Sequence, residues 1–559
     1  MSINLVKKKN REGLNYVYLV EAFREGKIVR HRHIQSFGQL EKLEAAEPGW
    51  FERMKIEVKK DGYVQEKKKE LIFRFNTELP LDTLSQNYGW KILDALFDTL
   101  KLSDVTQQKR RDKINLTQVL KLLVYQRILF PASKLATLAH QSELYGNWKV
   151  SENEAYRSLS LLETLSNEIQ LQAHRAISDT IGRTATLVFY DVTNYYFETD
   201  GDDEFRKRGP SKEHRPQPIV QMGLFMDSKG IPISYRLFRG NQTDPITYLP
   251  AIEQVKKQFG LERVIVVADK AMNSKNNVLN TYHNGDGWLF SQKHRGIRGA
   301  SKEIQNFILS PENWEVNAKG NFAHKSMIRE RLLSKGVSVK EKVLVTWNKA
   351  YAEREKARRD SALDYAKKLT NAELFRQSAK RGGKKYLELK LLDKTTGEVK
   401  DFNPLIQLNE DLIQFDAQFD GINVLVTSEV GMTDEEMIRH YGELYKIEDC
   451  FRVTKSEFEA RPVYVWTEAH IKAHFLTCFL ALVLLRLLQN LSGWQMSSSR
   501  LVEALRSART IAFPQSYELV EGNEDFRLLN EWLQLDWKKR FVETEQLKNY
   551  AKGWCKTFF

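Results

Sequence analysis

Cysteine is scarce. Three residues, Cys450, Cys478 and Cys555, are scattered through a 559-residue chain, and none sits in a CxxC pair. That spacing excludes a disulfide framework and a cysteine zinc site. Long apolar runs are also missing. The longest, Phe475 to Leu488, is about 14 residues, interrupted by Arg486 and preceded by Lys472 and His474, too short and too charged to span a bilayer. It reads as a buried core helix. The opening stretch, MSINLVKKKNREG, has no apolar region of the kind a secretory leader needs. There are no repeats and no low-complexity segments. These absences point to a reducing cytoplasm.

What is present is a folded, basic chain. Hydrophobic residues make up 42% and aromatic residues 11%, which excludes a disordered protein. The formal charge is +13 and is spread along the sequence, which suits a polyanionic partner, nucleic acid above all. The length calls for three or four domains or subdomains.

Residues 1–75 read as a small β-rich module. Tyr16 to Glu21 and Lys27 to Ser36 flank a Glu25-Gly26 turn, and Arg30, His31, Arg32 and His33 make the second strand basic. A lysine-rich link (Lys67, Lys68, Lys69) follows. Residues 80–182 read as helical, with Ser151 and Glu154 in capping-box spacing and Lys109, Arg110, Arg111 and Lys113 between helices. This region is assigned as a DNA-binding domain. From Thr186 the pattern turns to strands. Leu187 to Tyr190 and Val264 to Ala268 are fully apolar, as expected of strands covered on both faces, and each run stops at an aspartate, Asp191 and Asp269. Thr243 to Phe259 reads as a helix closed by Gly260, and Trp288 to Ser291 as another strand. Residues 294–421 break the pattern with a charged helix, Ala350 to Leu369, and a basic loop, Lys380 to Lys385, and read as an inserted subdomain. Ile422 to Thr427 restores a strand. The core is therefore expected in two pieces, 186–293 and 422–490, with residues 491–559 as a C-terminal region for dimerisation or DNA contact.

The segment Gly431 to Ala460, read as one helix, holds a misfit. At about 100° per residue, Met437, Tyr441 and Leu444 fall within about 40° of Glu448, and Phe451 within about 60°. Glu448 thus lies in an apolar stripe, with Arg452 and Lys455 on the same side. A carboxylate there is costly to bury unless paired or bound to metal. Pairing with Arg452 at i+4 is one solution. Joining Asp191 and Asp269 is the other. Functional groups in open α/β sheets gather at the carboxyl ends of strands, and if the two apolar strands are parallel neighbours both aspartates reach one ion. Each Asp alone also reads as a turn former or helix cap. Three oxygen ligands suit Mg²⁺ or Mn²⁺, and two such ions about 4 Å apart can cleave a phosphodiester.

YDVTNYYFE around Asp191, VVADKAMNS around Asp269, and the spacing Tyr441, Leu444, Glu448, Lys455 resemble the motifs of bacterial insertion-sequence DDE transposases, in the branch with a Y-x2-R-x3-E-x6-K signature. Three of the four signature positions match; Leu444 stands where the pattern has Arg. RILFPASK (Arg127 to Lys134) shares the family's character. The resemblance implies an RNase H-like mixed α/β sheet with flanking helices and a β-rich insertion, two Mg²⁺ or Mn²⁺ ions on Asp191, Asp269 and Glu448, and cut-and-paste DNA transposition. It implies a homodimer on double-stranded DNA, the terminal inverted repeats and a target. Tyr441 and Lys455 would contact phosphate, with Arg452 in place of the missing Arg. An aromatic from among Trp288, Trp314 and Trp347 would stack on a flipped base. His470 and His474 read as packing groups, and Thr193 as a cap or a partner of bound water. The alternatives are a catalytically inactive transposase-derived DNA-binding protein and a non-transposing RNase H-like nuclease.

Overall fold

The computed structural model describes residues 2–10, 13–25, 28–61, 85–107, 114–183, 185–199, 201–209, 216–295, 301–368, 387–391, 404–513, 516–520, 522–535, 539–552 and 554–557. The Lys67–Lys69 link, the Lys109–Lys113 cluster, Gly26 of the first turn and the Lys380–Lys385 loop lie outside these residues. The chain forms two compact units, residues 1–81 and 82–559.

The first unit is a three-stranded antiparallel sheet, β1 (Ser2–Lys9), β2 (Asn15–Glu25) and β3 (Ile28–Gln39), followed by α1 (Leu40–Ala46) and α2 (Trp50–Asp61). Leu5, Val17, Leu19, Phe51 and Val58 form its core. The hairpin matches the sequence expectation, whereas β1 is additional: SINLVKKK carries too few apolar positions to stand out. Arg30, His31, Arg32 and His33 are exposed on the edge strand β3.

The second unit begins with β4 (Gln86–Asn87) and the helices α3 (Trp90–Thr99), α4 (Leu102–Thr106), α5 (Leu116–Leu129), α6 (Lys134–Ala139), α7 (Glu152–Thr164) and α8 (Ser166–Ile181). The Ser151–Glu154 capping box opens α7. Next come β5 (Leu187–Tyr196), β6 (Ile219–Asp227), β7 (Pro232–Arg239), α9 (Asp244–Phe259), β8 (Ile265–Ala268), α10 (Lys275–His283) and β9 (Gly287–Ser291). In space these strands run β7-β6-β5-β8-β9. β5, β6 and β7 pair antiparallel, and β8 and β9 pair parallel with β5 and each other. Three antiparallel strands followed by two parallel ones, in the order 3-2-1-4-5, make the RNase H-like sheet.

The interval from β9 to residue 421 comprises α11 (Lys302–Leu309), β10 (Glu315–Val316), β11 (Phe322–Ser334), β12 (Val337–Asn348), α12 (Lys349–Lys368), β13 (Leu387–Leu391), β14 (Pro404–Leu408) and α13 (Glu410–Ala417). It is less separate than the change in sequence pattern suggests. β15 (Ile422–Thr427) pairs antiparallel with β9, and β12, β11 and β10 extend the same sheet to nine strands. Alternation along the strands sends one set of side chains, Phe189, Val267, Leu289 and Leu425, to a core shared with α3–α8; the other, Val188, Val266, Trp288 and Val424, packs with α9–α11.

The last part holds α14 (Asp434–Gly442), α15 (Tyr445–Ser456), α16 (Glu468–Leu491), α17 (Ser498–Ser507), β16 (Arg509–Ala512), β17 (Ser516–Val520), α18 (Glu524–Trp532), β18 (Phe541–Glu543) and α19 (Thr544–Lys548). α16 is long and apolar enough to cross a membrane, but 94% of its apolar window is buried inside the protein, against α3, α5, α7 and β7. The C-terminal region is not a free appendage: β16 pairs with β4, and Phe526 and Tyr550 pack on Tyr88.

Candidate active site

Register places the two aspartates. Phe189 pairs with Val267 across the parallel ladder, and Val267 with Leu289. Two residues further, on the same face, come Asp191, Asp269 and Ser291, one from each of three adjacent strands. Asp191 is not at a strand end, as the apolar run suggests. β5 continues through Val192 to Tyr196, whose β-branched and aromatic residues stay paired with β6. The parallel partner is what ends there, since β8 stops at Ala268. Asp191 is half-buried and accepts the Val192 N–H at 2.7 Å; Asp269 is exposed, and its Oδ1 accepts the Lys270 N–H at 2.6 Å and the Ser291 hydroxyl at 3.1 Å.

The segment bearing Glu448 is two helices, not one. Thr433 caps α14 through a capping box with Glu436. Beyond Gly442, Leu444, Lys446 and Ile447 donate to carbonyls three residues back, at 3.0–3.1 Å. This tighter turn advances about 120° per residue rather than 100°. It follows a glycine, the weakest helix former after proline. The extra rotation turns Glu448 out of the apolar stripe. It is exposed in the first turn of α15, while Ile447, Cys450 and Phe451 are buried beneath. The reading of Glu448 as a buried misfit is therefore corrected. Its accessibility is what a ligand-binding carboxylate needs. Nor does it pair with Arg452: among the described residues Glu448 has no hydrogen bond or ion pair.

Its neighbour Asp449 is the anchored acid. Its Oδ2 accepts from the buried Arg486 at 2.6 Å, and its Oδ1 from Arg452 Nε at 3.1 Å. Burial alone would raise the Asp449 pKa, but the two guanidinium groups hold it below the usual carboxylate range. Arg452 is exposed and bound to Asp449. Leu444 is 9% exposed and packs in the core at the junction of α14 and α15, so its position offers no cation.

Tyr441, in the last turn of α14, ties the acidic groups together. Its pKa is pushed up to about 12, first by burial, with the negative charges of Asp269, Glu448 and Asp191 adding to the rise; a hydrogen bond to Ser291 opposes it. One phenol thus lies in the field of all three carboxylates. Coulombic reach is longer than ligand distance, however, and among the described residues no three His, Cys, Asp or Glu side chains have closed around a common point. Lys455 donates to Thr193 Oγ1 at 2.7 Å, and its ammonium lies 5.8 Å over the Tyr195 ring. The Tyr195 hydroxyl bonds Thr454 at 2.6 Å, so α15 is pinned to β5 one step beyond Asp191.

The remaining candidates separate cleanly. Trp288 is fully buried and donates to Glu341 at 3.2 Å, so it is core and not a stacking surface. Trp314 and Trp347 are partly buried against the same core cluster, with the Lys325 ammonium 4.6 Å from the Trp314 ring. His474 is buried with Nε2 3.1 Å from the Ala460 carbonyl, and His470 lies 3.3 Å from Ser160, both as packing groups. Ser291 was missed by the sequence reading. Its signal was the same as that of the aspartates: GWLFS is a third apolar run closing on a polar residue.

Residues 3–63 match the IS1634 family transposase, N-terminal domain. That match bears out the resemblance to insertion-sequence transposases from a segment that none of the resembling motifs occupies, and it does not extend to the signature residues. No curated protein matches the chain. Among solved structures, the piggyBac transposase synaptic complex with hairpin DNA is similar at 10% identity and a TM-score of 0.35, over 83% of this chain and 84% of that one. The Mos1 transposase paired-end complex with left transposon end is similar at 15% identity and a TM-score of 0.14, over 42% and 64%. The fold assignment rests on the strand order, not on these likenesses.

Proposed function

We propose that this chain is a DDE transposase that cleaves double-stranded DNA at transposon ends and transfers the freed strand to target DNA. The observation that carries the reading is the row formed by Asp191 and Asp269 on neighbouring parallel strands, facing the helix that presents Glu448, with Tyr441 in the field of all three. The donor set fits a hard divalent cation: carboxylate oxygens, an accessible Asp269 and Glu448, and no buried basic partner on Glu448. Asp191, Asp269 and Glu448 would hold two Mg²⁺ or Mn²⁺ ions, which when bound supply activation of water and stabilisation of the leaving oxygen. Ser291 orients Asp269 through its hydroxyl. Lys455, held against Thr193 beside Asp191, offers its ammonium to a phosphate near the cut, and Tyr441 a neutral phenol, since burial keeps it protonated at working pH. Arg452 is tied to Asp449 and would have to leave that pair to reach DNA. The assembled complex is proposed as a homodimer on paired ends.

The test uses duplexes carrying the DNA that flanks the coding sequence. Asp191→Asn, Asp269→Asn and Glu448→Gln are each expected to abolish Mg²⁺-dependent cleavage while leaving duplex binding in place; full activity in any of them defeats the triad. Strand transfer into a plasmid separates a transposase from a nuclease that only hydrolyses.

A further inference from the structure

RILFPASK, the sequence motif that the active site does not use, opens a second site at the far end of β5. Arg127, near the end of α5, and Lys134, the first residue of α6, line a cavity of about 440 Å³ with Arg461, Tyr464 and His474. Glu459 is its one acidic lining residue. Arg127 and Lys134 are only 5% and 4% exposed. Arg127 spends its two terminal nitrogens on the carbonyls of Phe458, at 3.1 Å, and Ala132, at 2.8 Å, while its Nε has no partner. The Lys134 ammonium has neither an acceptor nor a carboxylate partner among the described residues. Burial, and then the charge of Arg127, lowers its pKa to about 7. A buried arginine beside a buried lysine, with no carboxylate partner for either among the described residues, is costly unless the site is built to receive an anion.

Position narrows the ligand. The Arg461 guanidinium lies 5.5 Å over the Tyr196 ring, and the Val463 N–H bonds the Tyr196 carbonyl at 3.2 Å. Tyr196 is five residues beyond Asp191 on the same strand, roughly 17 Å away at about 3.4 Å per residue. That is about five steps of duplex DNA at ~3.4 Å each. Tyr464, in the cavity lining, is exposed, as is Trp466 two residues further on, where Arg206 lies 5.5 Å over the indole ring. A cationic cavity beside exposed aromatics, joined through Val463 to the strand that carries Asp191, has the chemistry of a nucleic-acid backbone contact. We propose that the Arg127–Lys134–Arg461 cavity binds a backbone phosphate of the DNA whose scissile phosphate lies at Asp191, Asp269 and Glu448. The proposal rests on the transposase reading.

The experiment measures binding of a 30-base-pair duplex of arbitrary sequence by fluorescence anisotropy across a salt series, for the full-length parent, Lys134→Met and Arg461→Gln. Lys134→Met is expected to bind roughly tenfold more weakly, with the slope of log K against log salt reduced by about 1, while its thermal midpoint holds or rises because a buried unpaired charge is gone. Arg461→Gln, at a partly exposed position, is expected to weaken binding in the same way without disturbing the buried layer. In a second arm, inorganic phosphate replaces chloride at equal ionic strength; it should raise the parent's thermal midpoint and leave that of Lys134→Met unmoved. Unchanged affinity and slope in both variants overturns the proposal. So does a phosphate-dependent midpoint with unchanged DNA binding, which would assign the cavity to a free anion. A parent that fails to bind the duplex strikes the transposase reading itself, and is told apart because it is seen before any substitution is made.

Discussion

Two points along β5, Asp191 at its middle and Tyr196 at its end, have surroundings of opposite charge. Beside Asp191 lie Asp269 and Glu448, both exposed and neither in an ion pair among the described residues; in the cavity that Arg461 joins to Tyr196, the buried Arg127 and Lys134 have no carboxylate partner among the described residues. Elsewhere the same protein balances its buried charges with care. Arg183 and Asp227 are paired at 2.7 Å with both side chains almost fully buried. Buried Glu341 receives Arg329 at 2.8 Å and Arg331 at 2.9 Å. A chain that compensates charge at these sites, yet among the described residues leaves Asp269 and Glu448 at one place and Lys134 at another without an opposite charge at pairing distance, is marking those places for a ligand. Like charges held together lower stability, and that cost is borne where function needs it.

The comparison can be broken in order of expected effect. Glu448→Gln should reduce Mg²⁺-dependent cleavage by roughly a thousandfold or more, yet its thermal midpoint should stay level or rise; a lowered midpoint would show that Glu448 is structural. Asp227→Asn should do the reverse, costing about 3–5 kcal/mol by leaving Arg183 buried and unpaired; urea unfolding would read this, and a neutral outcome would erase the contrast between compensated and uncompensated charge. The finest cut is Ser291→Ala, which removes one hydrogen bond to Asp269. About 1 kcal/mol is at stake, a roughly fivefold fall in cleavage rate, measured under single-turnover conditions.

Much of this arrangement was legible in the residues. Apolar runs ending in Asp191 and Asp269 pointed to central strands that lie side by side, because strands covered on both faces must be apolar. The reason for singling out Glu448, a carboxylate buried in an apolar stripe, does not hold in the structure. A uniform helical step cannot register the tightened turn after Gly442, so an exposed acid was taken for a buried one. Ser291 escaped because serine on a strand end is a common residue with no charge to betray it. The joining of the insertion's strands to the central sheet was hidden as well. Sheet order depends on which edges meet in space, and the basic helix Lys349–Lys368 interrupts the pattern that would have linked β12 to β15.

α16 has a consequence for how the protein is made. The surfaces it fills, on α3, α5, α7 and β7, all leave the ribosome long before it does. With translation at about 5–20 residues per second, α5 waits roughly 20–70 s for the rod that closes its core. During that interval the apolar faces of the bundle stay open to solvent and to chaperones. The helix that bears Glu448, α15, rests on the same rod and cannot be seated until α16 arrives. On the proposed function, the order of synthesis would hold the nascent chain inactive until α16 has emerged and seated α15.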